Sequence, residues 1–276
     1  RPASASSIII THSIESERAL ESAIYFEDKI SLTEYLSVNA GMRISSFFSF
    51  GPQTIYLYDP TLPKSGLSIY DTLYYRHGEI SGRYAGLEPR FSLNFRLSGT
   101  SSLKINYNRT RQYIHLLTNS MAISPTDTWK LSDYYLKPQV GNQFAAGFYK
   151  FLFNKKFETS VEIYYKMIRN MIDYKGGTTL TLIENIEQET IPVRGKSYGL
   201  ELALKETEGK VRYSISYTFA RTFIKSLEKF PGEIINSGNW YPANCDKPND
   251  LVLTYNYLYS RRLSFSAAYT YSTGRP

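Results

Sequence analysis

Three histidines, one cysteine and scattered carboxylates are the groups from which any catalytic chemistry of this chain would have to be built. His12, His77 and His115 lie far apart, and no Gly-x-Ser-x-Gly nucleophile elbow accompanies them. His77-Gly78-Glu79 offers two metal ligands without a third nearby. Cys245, with no second cysteine to pair with, falls in a Gly-, Asn- and Pro-rich stretch. Gly176-Gly177 and the glycines at 195 and 199 do not open a helix after a strand, so they read as turn and strand glycines rather than a phosphate cradle. These residues predict no enzyme, no catalytic residue, no metal site and no cofactor.

Binding chemistry is better represented. The chain holds 25 Tyr, 15 Phe and 2 Trp, and aromatic rings in loops stack on sugar or aromatic ligand faces. Tyr74 and Tyr75 in one long polar stretch, His115, Trp129, Tyr134 and Tyr135 in the next, and Trp240 and Tyr241 in a third are the candidate ligand contacts. The competing reading is that these rings pack loop on loop. The 32 Lys and Arg against 25 Asp and Glu give a net charge of +7. Two origins remain open: lumen cations that attract an anionic cargo, or rim cations that meet the phosphates of outer-leaflet lipopolysaccharide. No basic helix, zinc-ligand spacing or nucleic-acid fold signature is present, so nucleic acid is not an expected partner.

The elements that would position these groups follow a rhythm. About ten stretches of alternating apolar and polar residues are joined in turn by tight polar turns and by long loops, the layout of an all-β, antiparallel transmembrane barrel. Tight turns are expected around Lys29 to Thr33, Gly99 to Ser101, Asn154 to Lys156, Thr207 to Gly209 and Ser260 to Arg262; long connections cover Gly51 to Gly86, Ile114 to Gln139, Lys175 to Val193 and Lys225 to Asn249. In one stretch Phe157, Thr159, Val161, Ile163, Tyr165 and Met167 alternate with Glu158, Ser160, Glu162, Tyr164 and Lys166. Lipid is expected to take the first set and water the second. The same phase places the basic residues Arg90, Arg96, Lys104 and Arg212 toward the lumen, while Arg109 and Arg111 fall near the outer end of their strand. Arms of about 10 to 15 residues exceed the usual 5 or 6 of soluble sheets and suit a tilted membrane strand. A mean hydropathy of −0.34 disfavours membrane helices but not a barrel with a polar interior. Tight turns in the periplasm put both ends of the chain outside, which predicts a piece of a larger barrel.

Several segments carry a family likeness. Glu88-Pro89-Arg90-Phe91-Ser92-Leu93, the run from Ser102 to Ser120, Asn170-Met171-Ile172-Asp173-Tyr174 and Gly195-Lys196-Ser197-Tyr198-Gly199-Leu200-Glu201 resemble the barrel of TonB-dependent outer-membrane receptors. So do Ser216-Tyr217-Thr218-Phe219-Ala220-Arg221 and the ending Tyr271-Ser272-Thr273-Gly274-Arg275-Pro276, and the likeness is greatest to the receptors of Bacteroidetes. The resemblance implies a barrel of about 22 strands with a plug inside it, of which residues 1–276 would be one part of the barrel domain, without the plug and the final strands. It implies active import of a scarce nutrient, whether siderophore, cobalamin, haem, oligosaccharide or peptide. The implied partners are the TonB complex, reached through a region upstream of the barrel, the nutrient, the outer-membrane lipid and a surface lipoprotein. A passive porin-like channel and a surface adhesin are the alternatives from other classes.

Overall fold

A computed structural model describes residues 16–117, 128–176, 185–206 and 208–274. The chain runs through β1 (Arg18–Ser31), β2 (Leu36–Phe50), β3 (Gln53–Tyr58), β4 (Ile69–Tyr75), β5 (Ile80–Arg96), β6 (Ser101–Gln112), β7 (Ile114–Leu117), β8 (Thr128–Leu131), β9 (Gln139–Leu152) and β10 (Phe157–Tyr174). A single-turn α1 (Ile186–Glu189) precedes β11 (Thr190–Glu206), β12 (Val211–Ser226), β13 (Tyr241–Pro242), β14 (Asn249–Ser260) and β15 (Leu263–Ser272). Ten long strands form one antiparallel sheet in the order β1-β2-β5-β6-β9-β10-β11-β12-β14-β15, with β13 pairing on β12. The small hairpins β3-β4 and β7-β8 stand apart from it. Strands of the main sheet run from 10 to 18 residues, enough to cross a bilayer at a tilt, which takes about 9 to 11.

Register confirms the two faces. Val161 pairs with Phe148 and Leu202, and Ile163 with Ala146 and Leu200, so one face carries apolar rows from strand to strand. The opposite face carries a polar row: Asn94, Lys104, Gly147, Glu162, Glu201, Thr218, Asp250 and Ser272 are successive partners. Apolar side chains such as Val161 (44 %) and Ile163 (56 %) remain exposed on the first face. Burial of strand residues therefore comes chiefly at the end of the sheet where the long loops pack.

Three boundaries differ from the sequence reading, and one of them is the end of the third long connection, which falls at Glu189 rather than Val193 because β11 pairs with β10 from Thr190 onward. The first tight turn is Leu32 to Tyr35, where Thr33 Oγ1 accepts hydrogen bonds from the amides of Tyr35 (3.2 Å) and Leu36 (3.0 Å). Local capping by threonine fixes the turn three residues later than the polar cluster suggests. The first long connection ends at Glu79, because β5 continues to pair with β2 through Gly86–Ser45, Tyr84–Phe47 and Gly82–Ser49. Glycines and an arginine interrupt the apolar alternation there and hide the strand.

The long loops build their own cores. Leu117, Leu136 and Ile186 cluster with Ile172 and Tyr174, joining the second and third long connections to the end of β10. Ile191, Val193, Ile224 and Ala243 cluster with Met171, Ile235 and Tyr241 beside them. A bulge between Ile168 and Met171, with Asn170 at a φ of 57°, makes the second core possible. It reverses the phase of β10, so that Met171 pairs with the fully buried Val193.

Candidate ligand-contacting site

In an outer-membrane barrel the polar face lines the lumen and the loops above it meet the ligand. At the loop end of the polar face, Glu88 is 1 % exposed and accepts from Ser45 Oγ at 2.6 Å and from Arg43 Nη1 at 3.2 Å. Arg43 reaches Glu21 at 3.0 Å with its other terminal nitrogen. Tyr113, from the second long connection, stacks on Phe47 with ring centres 4.9 Å apart and shares a 2.8 Å hydrogen bond with Ser45. This network ties the second loop to the wall, with one guanidinium shared between two carboxylates.

Lower on the same face, two tyrosines lie across glycines. A Cβ on Gly199 would stand 2.7 Å from both the Phe219 carbonyl oxygen and the Tyr164 ring. On Gly147 it would meet Tyr149 Oη at 2.8 Å and Glu162 Cγ at 3.1 Å. Lys104 Nζ stands 4.5 Å from the centre of the Tyr149 ring. Glu162 and Glu201 are directly opposite one another on adjacent strands. Sequence reasoning missed Tyr149, Tyr164, Glu162 and Glu201 as a group, because only register brings these strands' residues to one level. At the short-turn end, Arg212 lines a shallow recess of about 270 Å³ with Lys205, Glu206, Tyr213, Ser214, Thr254 and Asn256. Register puts Arg90 opposite Gly41 and Asn108, and Arg96 opposite Ser102, so the four basic candidates spread over the polar face rather than converging.

Loop candidates divide into packed and open groups. His115 is 1 % exposed, with Gln139 Nε2 donating to its Nδ1 at 3.3 Å and its Nε2 3.1 Å from Ser132 Oγ. Burial lowers its pKa, opposed in part by Asp133. It holds a hairpin together and presents no surface. Tyr135 donates to the Tyr56 carbonyl at 2.6 Å, and burial first, with Tyr134 and Glu187 adding to it, pushes its phenol up to about 12. Beside it Tyr58 donates to Glu187 at 2.7 Å and accepts from Gln188 at 3.0 Å, which ties the first long connection to the third. Burial also raises the Tyr58 phenol. Tyr241 donates to Asp173 at 2.6 Å, and Lys196 Nζ lies 4.3 Å from the Trp240 ring centre. Tyr75 is half-buried in the first hairpin, paired with Gln53. Tyr74 (76 %), Trp129 (60 %) and Tyr134 (48 %) remain open. No group of three or more potential metal ligands occurs among the described residues.

A sheet of long antiparallel strands with one continuous apolar face, tight turns at one end and packed loops at the other is the wall of a transmembrane β-barrel. Residues 5–276 match the family described as TonB dependent receptor-like, beta-barrel, and the chain belongs to that family. It is a family of transporters and receptors, and it places the chain in the outer membrane. The FrpB iron transporter from Neisseria meningitidis superposes with a TM-score of 0.58 at 11% identity, covering 91% of this chain and 32% of that one. The alcaligin outer-membrane receptor FauA from Bordetella pertussis gives 0.56 at 16% identity, covering 93% and 38%. The ferric-catecholate import receptor Fiu from E. coli K12 gives 0.55 at 15% identity, covering 91% and 34%. The chain thus spans about a third of the length of these receptors. A comparison with curated proteins finds no match.

Proposed function

We propose that this chain forms wall strands and outer loops of an active importer, which takes a scarce nutrient across the outer membrane with energy delivered through TonB. Family membership over residues 5–276 is the observation that carries this reading. The named roles of FrpB as an iron transporter and of Fiu as a ferric-catecholate import receptor favour an iron chelate as cargo. The narrower likeness to Bacteroidetes receptors rests on the quoted segments alone. Among the described residues, the outer strands β1 and β15 each leave one edge unpaired. In lipid such an edge costs several kcal/mol per unsatisfied amide, so further strands of the same receptor complete the sheet and a plug closes its lumen. Open aromatics Tyr74, Trp129 and Tyr134 are the first contacts for cargo, and the polar row with Lys104, Glu162 and Glu201 lies along its path.

The test is uptake of labelled ferric chelates by cells with and without the full-length receptor, each with and without a protonophore. Receptor-dependent uptake abolished by the protonophore is the expected result. Receptor-dependent uptake that ignores both the protonophore and deletion of TonB would establish a passive pore instead.

A further inference from the structure

The net positive charge of the strands is concentrated on the outward face at the loop end. On the polar face Arg43 is held by Glu21 and Glu88, Lys205 lies opposite Glu158, and Glu162, Glu201 and Asp250 supply further negative charge. The outward face differs. An aromatic row of Tyr107, Phe144, Tyr165 and Tyr198 crosses four strands as successive partners, at the level where rings mark a bilayer interface. One step nearer the loops the row reads Arg109, Asn142, Met167, Lys196 and Phe223. Beyond it lie Arg169, partnered by Val140, and the directly opposed pair Arg194 and Lys225. The outward-phase carboxylates Asp28, on β1, and Glu206, on β11, lie at the other end of the sheet, by the tight turns.

Some of these cations are satisfied within the protein. Arg221 pairs with Asp246 at 3.0 Å, and Lys196 lies against Trp240. Arg109 donates through Nε to Asn142 at 2.8 Å, and among the described residues its terminal amino groups have no partner. Arg169, Arg194 and Lys225 have no ion pair or hydrogen-bonding side chain among the described residues. Like charges directly opposite on neighbouring strands repel, so Arg194 and Lys225 call for an anion between them. The anion must reach a surface that faces lipid, just above the aromatic row, where soluble cargo does not pass.

We propose that Arg169, Arg194 and Lys225, flanked by Arg109 and Lys196, bind the phosphate groups of the lipopolysaccharide that fills the outer leaflet. Guanidinium groups at this level match phosphate geometry, and the aromatic row below receives the acyl chains. The inference rests on the membrane reading above.

The test uses the full-length receptor in detergent, titrated with bisphosphorylated lipid A, with dephosphorylated lipid A, with phosphatidylglycerol and with inorganic phosphate, bound lipid being read by native mass spectrometry. Charged groups near a membrane surface each contribute roughly a fivefold factor. The combined Arg169→Ala, Arg194→Ala and Lys225→Ala variant should therefore bind bisphosphorylated lipid A roughly a hundredfold more weakly. The double Arg169→Lys, Arg194→Lys variant, with Lys225 retained, should keep most of the affinity. Dephosphorylated lipid A should bind the native receptor no better than the triple-Ala variant does, and phosphatidylglycerol and inorganic phosphate should bind more weakly than bisphosphorylated lipid A. Equal retention by native and triple-Ala receptors, or indifference to the lipid A phosphates, would overturn the site. Heat-modifiable migration on a detergent gel separates the two failures: a folded barrel that ignores the substitutions defeats the lipid site alone, and a native protein with no such migration defeats the membrane reading and the site together.

Discussion

Replacing Val161 with Arg and, separately, Ala203 with Arg tests which face of the sheet meets lipid. The two positions lie on adjacent strands one residue apart in register, since Val161 pairs with Leu202 and Ala203 with Ser160. Both are exposed in the isolated sheet, so loss of packing does not separate them and the surrounding medium decides. Val161 lies in the middle of an apolar row with Leu103, Phe148, Leu202, Tyr217 and Leu251. Arginine at the bilayer midplane of a barrel costs about 2–4 kcal/mol, a roughly 30- to 1000-fold shift in the folding equilibrium. Ala203 faces Ser160 and Ser216 on the polar side, where an arginine meets water and costs about 0.5 kcal/mol or less. Reversible urea titration of the full receptor in lipid vesicles, followed by intrinsic fluorescence, measures both. Equal losses, or a larger loss at Ala203, would reverse the assignment of faces and with it the account of the lumen.

Three further outcomes follow from particular contacts. Gly199→Ala places a methyl group 2.7 Å from the Phe219 carbonyl oxygen and should destabilise the barrel by about 1–3 kcal/mol, which the same urea titration would read; an unchanged midpoint would show that the strands can part without cost. Glu88→Ala removes the buried acceptor of Ser45 and Arg43; since Arg43 is partly exposed and keeps Glu21, the loss should be about 2 kcal/mol, below the 3–5 of a fully buried pair, and Glu88→Gln should recover part of it. The lowered pKa of His115 means that the unfolded hairpin binds a proton more readily than the folded one. The stabilisation is complete above the ordinary value of 6.5 and is lost as pH falls from there through the lowered value. Amide exchange over 113–117 and 128–132, corrected for intrinsic rate, should accelerate on acidification in the native protein and not in His115→Asn; a flat native profile would refute the assignment.

Strand identity was legible because each arm repeats one phase over many residues. Phe157 to Met167 and Tyr198 to Leu204 alternate without interruption, and their pairing through Val161–Leu202 and Ile163–Leu200 joins equal faces. Where the phase breaks, the sequence was silent. The bulge at Asn170 turns Met171 and Asp173 to the side opposite that extrapolated from Met167, and only its partner, the Pro138 carbonyl at 2.9 Å from Asn170 Nδ2, accounts for its place. The loop candidates were readable as aromatic residues but not as packed or open. Tyr58 and Tyr135 meet at 5.7 Å from different loops, and His115 is buried by Ser132 and Gln139 rather than by its own neighbours. Such contacts depend on how loops fold over one another, which local pattern does not encode.

Packing within the loops narrows where recognition can occur. Tyr58, Tyr135 and Tyr241 use their hydroxyls on Glu187, Tyr56 and Asp173, and the ties join connections that are remote in sequence. Under the proposed function, ordering these loops before cargo arrives would lower the entropy lost on binding, and the open rings of Tyr74, Trp129 and Tyr134 would supply contact area. The wall contributes a different quality. Its polar face sets Lys104 in one row with Glu162, Glu201 and Asp250, so an anionic cargo moving along it meets carboxylates as well as cations. A +7 chain with a mixed-charge polar wall and an outward cationic rim is better suited to anchoring in a phosphate-bearing leaflet than to drawing anions through a lumen. Raising ionic strength should therefore weaken retention of the phosphorylated lipid more than it weakens cargo binding at the aromatic loops. The reverse order would return the net charge to the transport path.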